Sequence, residues 1–395
     1  MKRTKKLISL ALVISMVLGT DVVAFASTNN EVKDKVYFGE NRFTTAVEVS
    51  KAGWTSAKEV VLVNGNAMVD ALSATPFAYT KGAPILLTNT DKLQEDTAKE
   101  LKRLGTEKVY IIGGKGVVSD NVKNNLEGMK IRVERISGEN RYETSIKVAK
   151  SLDTVKDVSE VAIVNGEKGL ADAVSVASIA AQNNMPIIST KTNGDKDSYT
   201  WIKGEDIKAS YLIGGSGVLG DALEKELPMA KRIGGSNRHE TNANVIDRFF
   251  TDEELDKAYV AKSGMNKLNE IVDALAVGPL AARDKAPVII VNNKLDKTQQ
   301  EVAEKKIIKE FIQIGGGIST STIKALKDTQ QSKEFNVTTM DELKALLSKI
   351  RSNDVVNFRP SSPIETNIDL VTSKYITLNI YGMFKGNVSV NMPNA

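Results

Sequence analysis

Gly39-Glu40-Asn41-Arg42-Phe43-Thr44-Thr45 decides the fold, because the chain repeats it twice. It returns as Gly138-Glu139-Asn140-Arg141-Tyr142-Glu143-Thr144 and again as Gly235-Ser236-Asn237-Arg238-His239-Glu240-Thr241. Other landmarks keep step. Asp70-Ala71 recurs at Asp172-Ala173 and Asp273-Ala274, and Pro84 at Pro186 and Pro287. Gly113-Gly114 recurs at Gly214-Gly215 and Gly315-Gly316. Ordered markers with a period of about a hundred residues, far longer than a solenoid repeat, identify three copies of a unit large enough to be a small domain.

Each copy alternates helical and strand patterns. In the first, Thr45 to Lys51 reads as a helix and Val60-Val61-Leu62-Val63 as an apolar strand ending in Asn64-Gly65. Asp70 to Tyr79 reads as a helix of small residues, Pro84-Ile85-Leu86-Leu87 as a buried strand, and Leu93 to Leu104 as a helix with exposed charges. Val109 to Ile112 is a strand stopping at Gly113-Gly114, Ser119 opens the next helix, and Ile131-Arg132-Val133 closes the unit. Continuous Val/Ile/Leu strands between helices imply βαβ units and parallel sheets covered on both faces. The expected fold class is therefore α/β, with three tandem modules. In such sheets ligands meet the loops after the strand C-termini, which is where the Asn-Gly and Gly-Gly landmarks fall.

Composition narrows the chemistry. The 395 residues carry 53 Lys+Arg against 49 Asp+Glu, one His and no Cys. Disulfides, thiolate metal sites and Cys nucleophiles are excluded, and a single His is too few for most His-based metal sites. The first 26 residues read as an export signal: Lys2, Arg3, Lys5 and Lys6, an apolar run from Leu7 to Leu18, then Ala24-Phe25-Ala26. No later stretch approaches the ~20 apolar residues of a membrane span. Cleavage after Ala26 removes four basic residues and Asp21, so the formal +4 falls to +1 and net charge names no anionic partner. The expected domains are the signal (1–26), three modules (27–136, 137–233 and 234–330) and a small variable region (331–395).

Several motifs have competing readings. Gly215-Ser216-Gly217-Val218-Leu219-Gly220 is a literal G-x-G-x-x-G, but Ser119 replaces the third glycine in the first copy and the preceding strand is the third of its unit. A tight strand-to-helix turn is favoured over a nucleotide cradle. Asp70, Asp172 and Asp273 each precede a helical stretch, so they read as N-caps and dipole partners before they read as metal ligands or bases. His239 stands where the other copies have Phe43 and Tyr142, a packing position for a ring. Arg42, Arg141 and Arg238 offer donor forks that serve either a carbonyl clamp between modules or an anion. Around a pseudo-threefold, three equivalent arginines would give a multivalent surface for a repetitive anionic polymer.

The G-E-N-R-[YF]-x-T string, the N-G…D-A step, the P-I-L-L strand and the I-G-G turn, in triplicate over roughly residues 36 to 330, resemble the clostridial cell wall binding repeat 2 family. The resemblance implies three Rossmann- or Toprim-like modules packed as a pseudo-trimer. It also implies a protein secreted to the cell wall and S-layer surface. Its implied partner is an anionic, teichoic-acid-like secondary wall polymer, with S-layer proteins as further neighbours. With one His, at a packing position, the expectation is a non-catalytic protein with no cofactor and no nucleic-acid partner. In the family the apolar triplet after the proline is tied to polymer binding. Here that triplet is Ile85-Leu86-Leu87, then Ile187-Ile188-Ser189, then Val288-Ile289-Ile290. These residues also read as buried strand core, whose loss would unfold a module.

Family members pair such modules with a variable region, and residues 331–395 hold that place. Thr339-Met340-Asp341-Glu342 is a capping box opening a helix over 341–350. Strand-like runs follow at 355–358, 368–371, 375–381 and 388–390, an order that resembles the entry to a parallel β-helix. The rival reading is a wall hydrolase, or the remnant of one, that the modules merely target. Zinc amidases need several His/Glu ligands. A carboxylate-only glycosidase would have to use Asp354, Glu365 and Asp369.

Overall fold

The structure, a computed structural model, describes residues 32–66, 71, 73–265, 267–365, 367–372, 374, 376–382, 385 and 388–391. The export signal and Asp70 lie outside the described residues. Two units divide the chain, one over 32–329 and one from 330 onward. Among the described residues no helix is long and apolar enough to cross a membrane.

The larger unit is built from three four-stranded sheets, every pairing parallel. Its strands are β1 (Lys33–Tyr37), β2 (Glu59–Asn64), β3 (Ile85–Thr88), β4 (Lys108–Ile112) and β5 (Arg132–Ile136), then β6 (Glu160–Asn165), β7 (Ile187–Thr190), β8 (Ala209–Ile213) and β9 (Ala230–Ile233). In the last repeat come β10 (Glu254–Leu255), β11 (Ala258–Lys262), β12 (Val288–Val291), β13 (Ile307–Ile308) and β14 (Glu310–Ile314). The first sheet runs β3-β2-β4-β5 and the second β7-β6-β8-β9. The third runs β12-β11-β14-β1, with β10 and β13 forming a short pair of their own. Residues 33–37 head the first repeat in sequence, yet they hydrogen-bond along β14, from Lys33 opposite Glu310 to Tyr37 opposite Ile314. The fourth strand of each sheet thus leads directly into the Asn-Arg string of the next module, and the series closes on itself. Val60 to Val63 in β2 and Val288 to Val291 in β12 are buried on both faces, as runs without alternation require.

The repeated string is a helix start. Asn41, Asn140 and Asn237 cap the helices Arg42–Gly53, Arg141–Asp153 and Arg238–Phe249, each side chain accepting two backbone N–H bonds. The first helix therefore begins three residues before the position at which hydrophobic patterning placed it. Thr45, Thr144 and Thr241 accept from the backbone N–H of Gly39, Gly138 and Gly235 at 3.2, 3.0 and 3.0 Å. A Cβ on any of those glycines would lie within 2.8 Å of helix backbone, so the loop admits no side chain there.

The helices Ala74–Thr80, Leu170–Gln182 and Asp273–Arg283 each touch the other two, and one apolar cluster runs through all three modules. Polar ties lock the contacts. Ser178 donates to the Ala286 carbonyl at 2.8 Å, Asn242 to Ser175 at 3.1 Å, and Arg283 to the Gly53 carbonyl at 2.5 Å. At Gly278 an added Cβ would sit 2.5 Å from Thr75 Oγ1, so small residues let these helices approach.

The smaller unit is a parallel solenoid. β15 (Glu334–Val337), β16 (Val355–Phe358) and β18 (Thr377–Ile380) stack in one sheet, and β17 (Ile368–Val371) with β19 (Val388–Asn391) in another. Its coil advances by about 21 residues, with Glu334, Val355 and Thr377 in register. Asn336, Asn357 and Asn379 form an amide ladder, with bonds of 3.2 and 2.9 Å between neighbours. Val356, Phe358, Leu378 and Ile380 form the core with the leucines of the helix Met340–Leu347, which Thr339 and Glu342 open with the expected capping box.

Candidate functional site: loop clusters at the strand ends

Three loops converge beyond the C-terminal ends of each sheet. In the first module Asn64, the last residue of β2, ties them together. Its amide donates to Thr90 Oγ1 at 2.9 Å and to the Val117 carbonyl at 2.5 Å, and its Oδ1 accepts from Asn66 N–H. Asn165 repeats this in the second module, with Thr192 Oγ1 at 3.2 Å and the Val218 carbonyl at 2.8 Å. The third module has Lys262 at the same place, opposite Val291 as Asn64 is opposite Thr88 and Asn165 opposite Thr190, and Ser263 stands where the others have Gly65 and Gly166.

The three sequence-nominated arginines support these clusters. Arg42 donates to the Gly65 carbonyl at 2.6 Å, Arg141 to Gly166 at 2.9 Å and Arg238 to Ser263 at 2.7 Å. Each spends one donor as a carbonyl clamp within its own module. Phe43 and Tyr142 press against the glycine of the same turn. His239 is buried, and burial pushes its imidazole below its ordinary value.

A second set of arginines was not singled out in sequence. Arg135 NH1 donates to the Gly113 and Val118 carbonyls at 2.9 and 2.7 Å, and Arg232 NH1 to Gly214 and Leu219 at 3.2 and 2.8 Å. The literal G-x-G-x-x-G is thus a strand-to-helix turn held from below by Arg232. The available signal was the position of Arg135 and Arg232 just before Ile136 and Ile233, and Val36 stands there before Tyr37.

Asp172 and Asp273 do not cap. They lie in the first turns of their helices, and no side-chain cap bond is made at either N-terminus. Both are enclosed instead. Asp172 is 6% exposed beneath Gly214, and Asp273 packs against Gly315, each glycine at positive φ. Burial pushes the Asp172 carboxyl up to about 7, and the Arg238 charge of the following module opposes the shift. Asp273 is pushed up to about 6, opposed by Arg42 and Lys262. Asp273 Oδ1 is buried without a hydrogen-bond partner. Arg42 follows β1, so it reaches Asp273 because that strand completes the third sheet.

The triplets lie elsewhere. Ile85, Leu86, Leu87, Ile187, Ile188, Ser189, Val288, Ile289 and Ile290 are all buried in β3, β7 and β12, none more than 3% exposed. They form the sheet interior, and the arginines sit at the strand ends, so the two sets do not share a surface.

A model of the family described as cell wall binding domain 2 matches residues 37–123, 135–224 and 232–323. The chain belongs to this family. Among curated relatives of this cell wall binding domain 2 protein, the N-acetylmuramoyl-L-alanine amidase LytC of Bacillus subtilis is 35% identical over 294 residues, 73% of this chain and 57% of that protein. The amidase enhancer of the same organism is 30% identical over 312 residues, 78% of this chain and 41% of that protein. Cwp6 from Clostridium difficile superimposes with a TM-score of 0.72 at 35% identity, over 78% of this chain and 52% of that one. Cwp8 from the same organism gives 0.69 at 36% identity. The chain spans about half the length of the relatives it matches. Three cell wall binding domains support attachment at the cell surface. Among the described residues no group of three or more His, Cys, Asp or Glu is placed to hold a metal ion.

Proposed function

We propose that the chain is a secreted, non-catalytic protein of the Gram-positive wall and S-layer surface, held non-covalently by an anionic, teichoic-acid-like secondary polymer that its three modules bind. The observation that carries this reading is the threefold recurrence of an arginine at a strand end. Each guanidinium commits NH1 to a loop carbonyl, with Arg42 NH1 also donating to Asn66 Oδ1 at 3.2 Å, which leaves Nε and NH2 for a phosphate or carboxylate. The mutual contacts of the three central helices and the cyclic completion of the sheets support a pseudo-threefold arrangement, in which the three clusters would engage one polymer together. The buried triplets then act by holding the strand ends in place.

The full chain should co-sediment with purified walls and lose most of that binding once the secondary polymer is chemically stripped. Arg42→Gln, Arg141→Gln and Arg238→Gln combined should weaken wall binding strongly with the fold retained. Undiminished binding by the folded triple variant would remove the arginines from the site.

The amidase and amidase enhancer among the relatives motivate a second reading, in which the modules deliver a wall hydrolase. The three carboxylates of the smaller unit give it little support. Asp354 pairs with Arg351, Glu365 with Lys385, and Asp369 with Ser389. A clearing band from the full chain on a peptidoglycan zymogram would establish the hydrolase.

A further inference from the structure

The third module departs from the other two at one place, and the departures coincide. Lys262 replaces the asparagine that bridges the loops as Asn64 and Asn165 do, and Ser263 replaces the glycine that follows it, its hydroxyl buried at 1% exposure with no hydrogen-bond partner. Val36 stands where Arg135 and Arg232 clamp the turn. The turn from Gly315 to the helix cap Ser319 is two residues shorter than the turn from Gly113 to Ser119. Where the amide bridge would lie, a cleft of about 250 Å³ opens between the loops after β11, β12 and β14.

Its walls have a defined chemistry. Lys262 ends β11 and reaches across to Gly317, with one contact to Glu270 at 3.3 Å. An ammonium has three donors, so that pairing leaves Lys262 able to bind a second acceptor. The helix Thr320–Asp328 begins at the cleft, and its cap Ser319 pairs its hydroxyl with that of Ser321 at 2.7 Å while making no side-chain bond to a first-turn N–H. Its N-terminal N–H groups and dipole favour an anion there. β11 and β14 neighbour each other where the strand order reverses, the crevice in which open α/β sheets hold ligands. Arg42 and Asp273 flank Lys262 from the neighbouring elements, so the surroundings are balanced rather than repulsive to an anion.

We propose that this cleft binds the anionic group of a single sugar unit, a phosphate or carboxylate taken by Lys262, Ser263 and the helix N-terminus. The site belongs to the third module alone and does not depend on the arginine reading of wall attachment. Isothermal titration of the full chain with glucose 1-phosphate and with glucuronate should show saturable 1:1 binding, and glucose should show none. Lys262→Asn restores the residue of the other modules and should bridge the loops across the cleft, and Lys262→Val removes the ammonium without restoring the bridge. Each should weaken binding at least about tenfold with thermal stability retained. If Lys262→Asn fails to fold, Lys262→Val decides alone. Binding of glucose as tight as that of the anions, no heat with either anion, or unchanged affinity in a folded variant would overturn the proposal. Displacement of bound glucose 1-phosphate by polymer released from walls assigns the sugar unit to the wall. Retention assigns it to a free sugar phosphate or acid. Where wall polymer does not displace glucose 1-phosphate, wall co-sedimentation by Lys262→Val should match the unsubstituted chain, which separates failure here from failure of the attachment reading.

Discussion

At the scale of the residue, the buried aspartates are the unusual feature. A carboxyl whose value rises on folding from 3.8 to about 7 binds its proton more tightly in the native state. Its contribution is most favourable below about pH 4 and is lost as pH climbs toward 7, by up to about 4 kcal/mol. Asp172→Asn keeps the shape and stays neutral. The stability difference between this variant and the unsubstituted chain should therefore grow between pH 4 and 7 and level off above, as urea midpoints would show. A difference flat across that range would mean the carboxylate is solvated. The sequence marks these aspartates as recurrent and places them at helix starts, but it does not reveal their burial. That depends on a glycine turn some forty residues on and an arginine from another repeat. The arginines were legible as equivalents, but the carbonyl clamp expected between modules is made instead to a loop of each arginine's own module.

Elements were largely legible because their signals are local. β16 and β17 lie over the residues that alternation and flanking Gly, Pro and Asn marked, and the Thr339 capping box opens its helix as expected. The contact of the helices Ala74–Thr80 and Asp273–Arg283 was not legible, since small-residue stretches read alike whether they face a sheet or another helix. Gly278→Ala tests it. The added methyl meets Thr75, and overpacking of this kind costs about 1–3 kcal/mol. Thr75→Ala clears the obstructing atoms, so the double variant should recover most of the loss in chemical denaturation. Equal destabilisation with and without Thr75→Ala would place the strain elsewhere. The solenoid of the smaller unit shows the same division. Its strands were readable one by one and their order resembled a parallel β-helix, but the Asn336–Asn357–Asn379 ladder that aligns them was not readable.

At the scale of the whole molecule, the closing of the series by β1 was hidden from sequence, because chain order places 33–37 with the repeat they precede. Removal of residues 1–37 should therefore damage the third module more than the first. Hydrogen exchange would read this as lost protection over 310–314 with 108–112 kept. Loss confined to the first module would contradict the pairing. Protection in β14 thus reports on a strand from the other end of this unit. The pairing also orders events in time. Lys33 meets Glu310 across nearly the whole larger unit, so a strand among the first synthesised must wait for one of the last. Such distant pairing is slow to form. Through that interval β14 presents a free parallel edge, and the β1 of a second molecule fits it as well as its own. At high concentration during refolding, the same contact that closes one chain would join two by exchanging their first strands.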